Sequence, residues 1–331
     1  MKTTPFKSAL EPLERWFWKA QISVLRACPP LCGVVSGLSI GAENSHRVWA
    51  KTLLRTAVKT PRAILLHWRN KRERRVVLSR ISVILTTRCT LNCDKCLAHI
   101  PDLKDHWDVP ADEFIRDIRS LFSCVDYIYA IIISGGEAFL HPHLVEILRA
   151  CADPVRVGDI SVQTNGTVIP GEKVLSALRE VDATVKISRY APALQPDVEK
   201  LKLILKENGI RTTHESSAFW RDTGCLGQRQ DGSETRRFSV CVQQLCSPLI
   251  GGKLFLCSES AVLMEEGFVP ECEDYVDLRA VCPAEFRERW QKLLKKRAVA
   301  ACSYCLGNTY KTKKIPVAVQ RESLGKNAAR R

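Results

Sequence analysis

No stretch of the 331-residue chain stays apolar for the roughly 20 positions that a helix needs to cross a bilayer, which argues against an integral helical span. The best candidate, "PPLCGVVSGLSIGA" at 29–42, has the length of a signal-peptide core and ends in a small-residue step. It lies late, behind a tryptophan-rich segment, and is read as a buried helix or loop. Internal repeats are absent too. Acidic residues are scarce at both ends: residues 1–80 hold 16 Lys/Arg against four Glu, and residues 306–331 hold seven against one. The formal charge of +14 therefore belongs to the ends, and the middle, 81–305, is slightly acidic. An acidic body is a poor match for phosphate backbones, so nucleic acid is not an expected partner. The charged fraction of 26% and apolar fraction of 45% are those of a soluble globular protein, long enough for one large domain or two ordinary ones. Cysteine is the exception, with fifteen. Oxidised scaffolds of that density belong to short secreted chains, and an odd number cannot pair completely. In a reducing cytosol such thiols are free to bind metal, so metal chemistry in the cytoplasm is expected.

The first 75 residues read as helices with basic faces, among which lie Trp16, Trp18, Trp49 and Trp68. Such a segment suits an anionic membrane surface or an acidic partner, and equally suits packing on the main domain with a solvated basic face. "KRERR" at 71–75 marks the boundary. From residue 81 apolar, β-branched runs at 81–86, 127–133, 159–163, 183–187 and near 210–213 alternate with helical stretches at 110–122, 141–152, 171–181 and 196–209. That alternation predicts a parallel sheet with right-handed crossovers, whose ligands bind beyond the carboxyl ends of the strands. "TTRC", "SGGE" and "TNGT" each fall there. After about 215 the alternation fades. The divisions expected are a basic helical extension (1–75), an α/β domain (76–235), a small cysteine-containing domain (236–310) and a flexible basic tail (311–331).

"TTRCTLNCDKC" at 86–96 places cysteines at 89, 93 and 96 directly after the first strand. Closed structural zinc sites want four ligands, so a local triplet leaves one place open. Three thiolates this close can bind three irons of a [4Fe–4S] cube and leave the fourth to a small molecule. The C-x3-C-x2-C spacing resembles that of the radical S-adenosylmethionine (SAM) enzymes. The resemblance implies an incomplete (β/α)6 TIM-like barrel, with Cys89, Cys93 and Cys96 as cluster ligands and SAM on the open iron. In that family one electron from the cluster cleaves SAM, and the 5′-deoxyadenosyl radical takes a hydrogen atom from substrate. "SGGEAFLHP" at 134–142 looks like the family's glycine-glycine-glutamate segment. Gly135 and Gly136 would let backbone approach the methionine moiety, and Glu137 would hold the local geometry or the ammonium. Asn165 in "QTNGT" resembles the family's Asn-Gly turn, and Ser188 and Arg189 end the fourth strand where relatives place groups near ribose and carboxylate. The chain departs from the family at Lys95, where many members carry an aromatic residue near adenine. His99, His141 and His143 follow the motifs closely and are read as packing or capping residues.

A second group begins with "CVQQLCSPLIGGKLFLCSES" (241–260) and ends with "CSYC" (302–305). A glycine-turned hairpin, "LIGGKLFLC" at 249–257, would bring Cys257 back beside Cys246 or Cys241. The order resembles the twitch and SPASM auxiliary-cluster domains found behind some radical SAM barrels. On that resemblance Cys246, Cys257, Cys302 and Cys305 hold a second [4Fe–4S] cluster, with Cys241 as the alternative to Cys246, while a four-cysteine zinc site fits the same spacing. Cys124 and Cys151 sit in helical patterns as buried thiols, and Cys28, Cys32, Cys225, Cys272 and Cys282 have no assigned role. The hairpin "CSPLIGGKLFLC" and the later "DYVDL" resemble radical SAM proteins associated with bacterial surface polysaccharides. The substrates implied are a sugar or glycan, or alternatively a peptide, with a flavodoxin- or ferredoxin-like electron donor. A peripheral contact with the inner membrane face through the N-terminal helices is a further expectation. The rival from another class is a non-catalytic zinc protein with basic tails, which would have no need of "SGGE".

Overall fold

A computed structural model describes residues 68–215, 219–224 and 231–321, with isolated helical positions between 16 and 24. The basic extension before residue 68, Cys28, Cys32, Cys225 and the last ten residues lie outside the described set. The elements, in chain order, are β1 (Val77–Leu78), β2 (Ile81–Ile84), α1 (Ala111–Cys124), β3 (Tyr127–Ile128), β4 (Ile131–Ser134), α2 (Leu144–Cys151) and β5 (Ile160–Thr164). Then come α3 (Glu172–Glu180), β6 (Thr184–Ser188), α4 (Val198–Glu207), β7 (Arg211–Glu215), β8 (Trp220–Arg221), α5 (Glu234–Phe238) and β9 (Ser247–Ile250). The last are β10 (Lys253–Phe255), α6 (Ser258–Glu265), β11 (Tyr275–Asp277), α7 (Pro283–Leu294) and β12 (Lys314–Ile315). Among the described residues no helix is long and apolar enough to cross a membrane.

The main sheet has eight strands in the order β11-β10-β9-β2-β4-β5-β6-β7. Strands β2, β4, β5, β6 and β7 are parallel neighbours, as a series of βαβ crossovers requires. The sixth parallel strand is β9, which pairs with β2 on the opposite side from β4. The sheet thus runs unbroken from the α/β segment into the residues beyond 236. The β9–β10 hairpin turns through Gly251 and Gly252, both at positive φ (56° and 76°), the two-glycine solution that a tight hairpin favours.

Alternation explains how the strands are used. Ile81, Val83, Ile131 and Ile133 point to one face and are fully buried against the helices. Helix α1 meets them with Phe114, Ile118 and Leu121, spaced at helical period. The opposite, concave face carries Ser82, Ser134 and Gln163 instead, and these line a cavity.

Candidate functional site

Cys89, Cys93 and Cys96 line a single cavity of about 610 Å³ together with Gly135, Gly136, Asn165, Ser188 and Arg189. The cavity opens at the carboxyl ends of β2, β4, β5 and β6, where loops leave the sheet. Burial raises the pKa of all three thiols, that of Cys93 to about 11; neighbouring thiolates raise Cys89 and Cys93 further, and the carboxylates of Asp102 and Glu259 raise Cys96. Thiols held neutral in this way need a cationic centre to ionise, as a cluster's irons provide. The donor set fits a cluster bound at three corners.

The glycine pair works against protein, not open space. A Cβ on Gly135 would stand 2.6 Å from the Thr86 carbonyl oxygen, and one on Gly136 would collide with the Arg88 carbonyl and lie 2.9 Å from Cys89 Cβ. The backbone uses that closeness: Gly136 N donates to Thr86 O at 2.7 Å and Glu137 N to Arg88 O at 2.8 Å. Glu137 is fully buried. One of its oxygens accepts from Phe139 N (3.0 Å), the other from Thr164 Oγ1 (2.9 Å) and Asn165 N (2.8 Å). Of the two roles expected for it, the geometry favours holding the loops over meeting an ammonium group. Asn165 in turn sends its amide to Cys89 Sγ (3.5 Å) and Thr90 Oγ1 (2.9 Å), while Thr167 donates to its carbonyl oxygen.

The C-terminal segment was expected to be a loose tail, and up to Arg321 it is instead bound to the cysteine loop. Asp94 N donates to Val319 O at 2.6 Å, Asn92 N to Gln320 Oε1 at 2.8 Å, and Arg321 N to Asn92 O at 2.8 Å. Gln320 Nε2 reaches Cys93 Sγ at 3.1 Å. The Arg321 guanidinium forks onto Asp102 at 2.9 and 3.1 Å and touches Asp94 at 3.2 Å. These hydrogen bonds join segments some 220 residues apart in the chain, a pairing that local composition does not reveal.

Cys241, Cys257, Cys302 and Cys305 line a second, smaller cavity with Glu259, whereas Cys246 lines the first. The expected preference for Cys246 over Cys241 is thereby reversed. The reason is register: Ser247 N bonds to Arg80 O at 2.9 Å, which commits Cys246 to the barrel side, while Cys241 stays behind α5 and accepts from Asn308 N at 3.3 Å. Burial raises all four thiols, Cys302 to about 11. Glu259 is buried, with Oε2 2.8 Å from His99 Nε2 and Oε1 without a partner among the described residues. An orphaned buried oxygen beside four thiols fits a site built around a bound metal group. Among the described residues, no three His, Cys, Asp or Glu side chains close on one point as a lone ion requires.

Of the remaining candidates Lys95 lines the first cavity, and the others fall away from both. His141 accepts from His143 N at Nδ1 (3.2 Å) and meets Val109 O through Nε2 (3.0 Å), a packing role. Cys124 and Cys151 are buried in α1 and α2, Cys272 donates to Asp274 at 3.2 Å, and Cys282 caps α7. Lys95 Nζ lies 3.9 Å from Asp222. Sequence reasoning missed Tyr190 and Trp220, which meet edge to face at 6.0 Å on the wall of the first cavity. Tyr190 directly follows Ser188 and Arg189 in the chain, and that was its only signal.

The profile of the Radical SAM superfamily matches residues 83–213. Residues 83–213 form a radical SAM domain. Enzymes of this superfamily use a [4Fe–4S] cluster and SAM. The chain is 28% identical over 150 residues to GTP 3′,8-cyclase of Syntrophomonas wolfei, covering 44% of this chain and 43% of that enzyme. Among solved structures, BtrN with AdoMet and 2-DOIA is 15% identical with a TM-score of 0.48, covering 74% of this chain and 97% of that one. Native anSMEcpe with bound AdoMet is 11% identical with a TM-score of 0.46, covering 65% and 82%. The chain spans less than half the length of the curated relatives it matches.

Proposed function

We propose that Cys89, Cys93 and Cys96 hold a [4Fe–4S] cluster whose fourth iron is left to SAM, and that the protein takes a hydrogen atom from an unactivated C–H bond of a sugar or cyclitol. The observation that carries this reading is the meeting of the three thiols with the glycine pair and Asn165 on one cavity at the carboxyl ends of neighbouring strands. When bound, the cluster supplies the electron that breaks SAM and yields a 5′-deoxyadenosyl radical. The protein's own residues bind and orient. Ser188 and Arg189 offer a hydroxyl and a cation to the ribose and carboxylate, and Tyr190 and Trp220 give the adenine the apolar wall that Lys95 does not. Glu137 is a positioning residue, holding the turn after β5 against the loop after β4. Cys241, Cys257, Cys302 and Cys305 would hold an auxiliary cluster, which would supply a site for the electron left on a substrate radical. A flavodoxin- or ferredoxin-like protein supplies the reducing electron.

Anaerobic purification tests this. Two four-iron cubes give about eight irons per chain, and reductant with SAM releases 5′-deoxyadenosine. Cys93→Ala abolishes the release, while Cys305→Ala lowers the iron by about four and spares part of it. A colourless protein carrying zinc at both cysteine groups ends the proposal.

A further inference from the structure

The first cavity holds more charge than SAM accounts for. Its lining includes Arg80, Lys95, Arg189 and Arg221, and no aspartate or glutamate among the described residues. Register places these groups. Ser82 is level with Ile132 across β2 and β4, and Ile84 with Ser134. Because side chains alternate along a strand, Arg80 shares the concave face with Ser82 and Ile84, at the end of β2 remote from the cysteine loop. The chamber also reaches Gln243, Cys246 and Ser258, beside the second cysteine group. A molecule inside it lies between the two groups.

The four cations differ in what they already do. Arg189 is assigned to SAM above, and Lys95 leans toward Asp222 at 3.9 Å. Arg80 has no ion pair among the described residues. Arg221 is pinned by a 3.1 Å bond from Nη1 to Thr312 O and lies over the Phe219 ring at 5.5 Å, and burial pulls its pKa down.

Substrate chemistry follows by elimination. An aminosugar or a lysine-bearing peptide would be repelled. A neutral polyol has hydroxyl protons to donate, and a wall without carboxylates gives them few strong acceptors. A phosphoryl group matches the fork of an arginine, and low-dielectric walls focus the positive potential toward it. Resting on the radical SAM reading of this cavity, we infer that the substrate is a phosphorylated, hydroxyl-rich small molecule, its phosphoryl group gripped by Arg80 and its body held along Ser82, Ser134 and Gln163, which share the concave face with it. A sugar phosphate and a nucleotide share this chemistry.

The test uses the full-length, anaerobically purified protein saturated with SAM, titrated calorimetrically with inorganic pyrophosphate, glucose 1-phosphate, GTP and glucose at low and high salt. The phosphorylated probes bind, glucose does not, and affinity falls as salt rises. Preference for glucose 1-phosphate assigns a sugar phosphate, and preference for GTP assigns a nucleotide. Arg80→Gln weakens the phosphorylated probes about tenfold or more with iron content and melting temperature unchanged, and Arg80→Lys recovers part of the loss. Equal binding of glucose and glucose 1-phosphate, or unchanged phosphate affinity in folded Arg80→Gln, overturns the inference. Protein without iron or 5′-deoxyadenosine release defeats the radical SAM reading itself, whereas phosphate-blind binding in iron-loaded protein defeats only the substrate assignment.

Discussion

Gly136 shows how tightly the cysteine loop is held. A methyl group there collides with the Arg88 carbonyl and Cys89 Cβ, both close to backbone that cannot swing away. Gly136→Ala is therefore expected to cost about 1–3 kcal/mol in urea unfolding and to lower iron retention. Gly171→Ser, at a helix N-cap with open space around it, is expected to stay within about 0.5 kcal/mol of the parent. Equal effects of the two changes would mean that the loops can slide apart. The importance of Gly135 and Gly136 was legible in the sequence, but its physical cause was not. They were expected to make room for the methionine moiety, and they make room for residues 86–89. The cysteine triplet was readable because its spacing is local. Tyr190 and Trp220 were not read as a pair, because thirty residues of chain separate two side chains that meet only after β8 pairs with β12.

At the scale of elements, alternation of β-branched runs with amphipathic stretches foretold the five strands β2, β4, β5, β6 and β7 and the helices between them. Those signals are periodic within a dozen residues. Two features without periodicity escaped. One is the parallel seat of β9 beside β2, decided by which sheet edge remained open. The other is the strap formed by residues 317–321, which shows no periodicity and whose contacts with the cysteine loop cross some 220 residues of chain. Gln320 gives that strap a specific function, since its amide is 3.1 Å from Cys93 Sγ and a hydrogen bond to a thiolate sulfur raises a cluster's reduction potential. Gln320→Ala is expected to lower the midpoint potential of the first cluster in an electrochemical titration, with little change in iron content. A stop after Pro316 removes Arg321 as well, and is expected to speed iron loss to a chelator several-fold. A strap variant with unchanged potential and unchanged iron loss would reduce these contacts to surface packing.

One sheet and several buried pairs join the two cysteine groups in a single body. His99, three residues after the first triplet, is hydrogen-bonded through Nε2 to Glu259 in the wall of the second cavity. Farther out, Arg279, just past β11, grips Asp117 on α1 through Nε–Oδ1 at 2.7 Å and Nη2–Oδ2 at 2.9 Å. Asp117 is only 3% exposed, whereas the Arg279 side chain is 46% exposed, so solvent screens part of the attraction. Removing the arginine still strands a buried carboxylate. Arg279→Ala is expected to cost about 1–3 kcal/mol, a fall in melting temperature of roughly 2–4 °C per kcal/mol. Asp117→Ala should cost less in the Arg279→Ala background than in the parent, since the pair is coupled. Because β9 lies in the same sheet as β2, melting is expected to remain one transition followed equally by iron release and by loss of circular dichroism. Two separated transitions in the variant would show that residues beyond 236 fold apart from the strands that precede them, and that the chamber between the two thiol groups is an interface between independent parts.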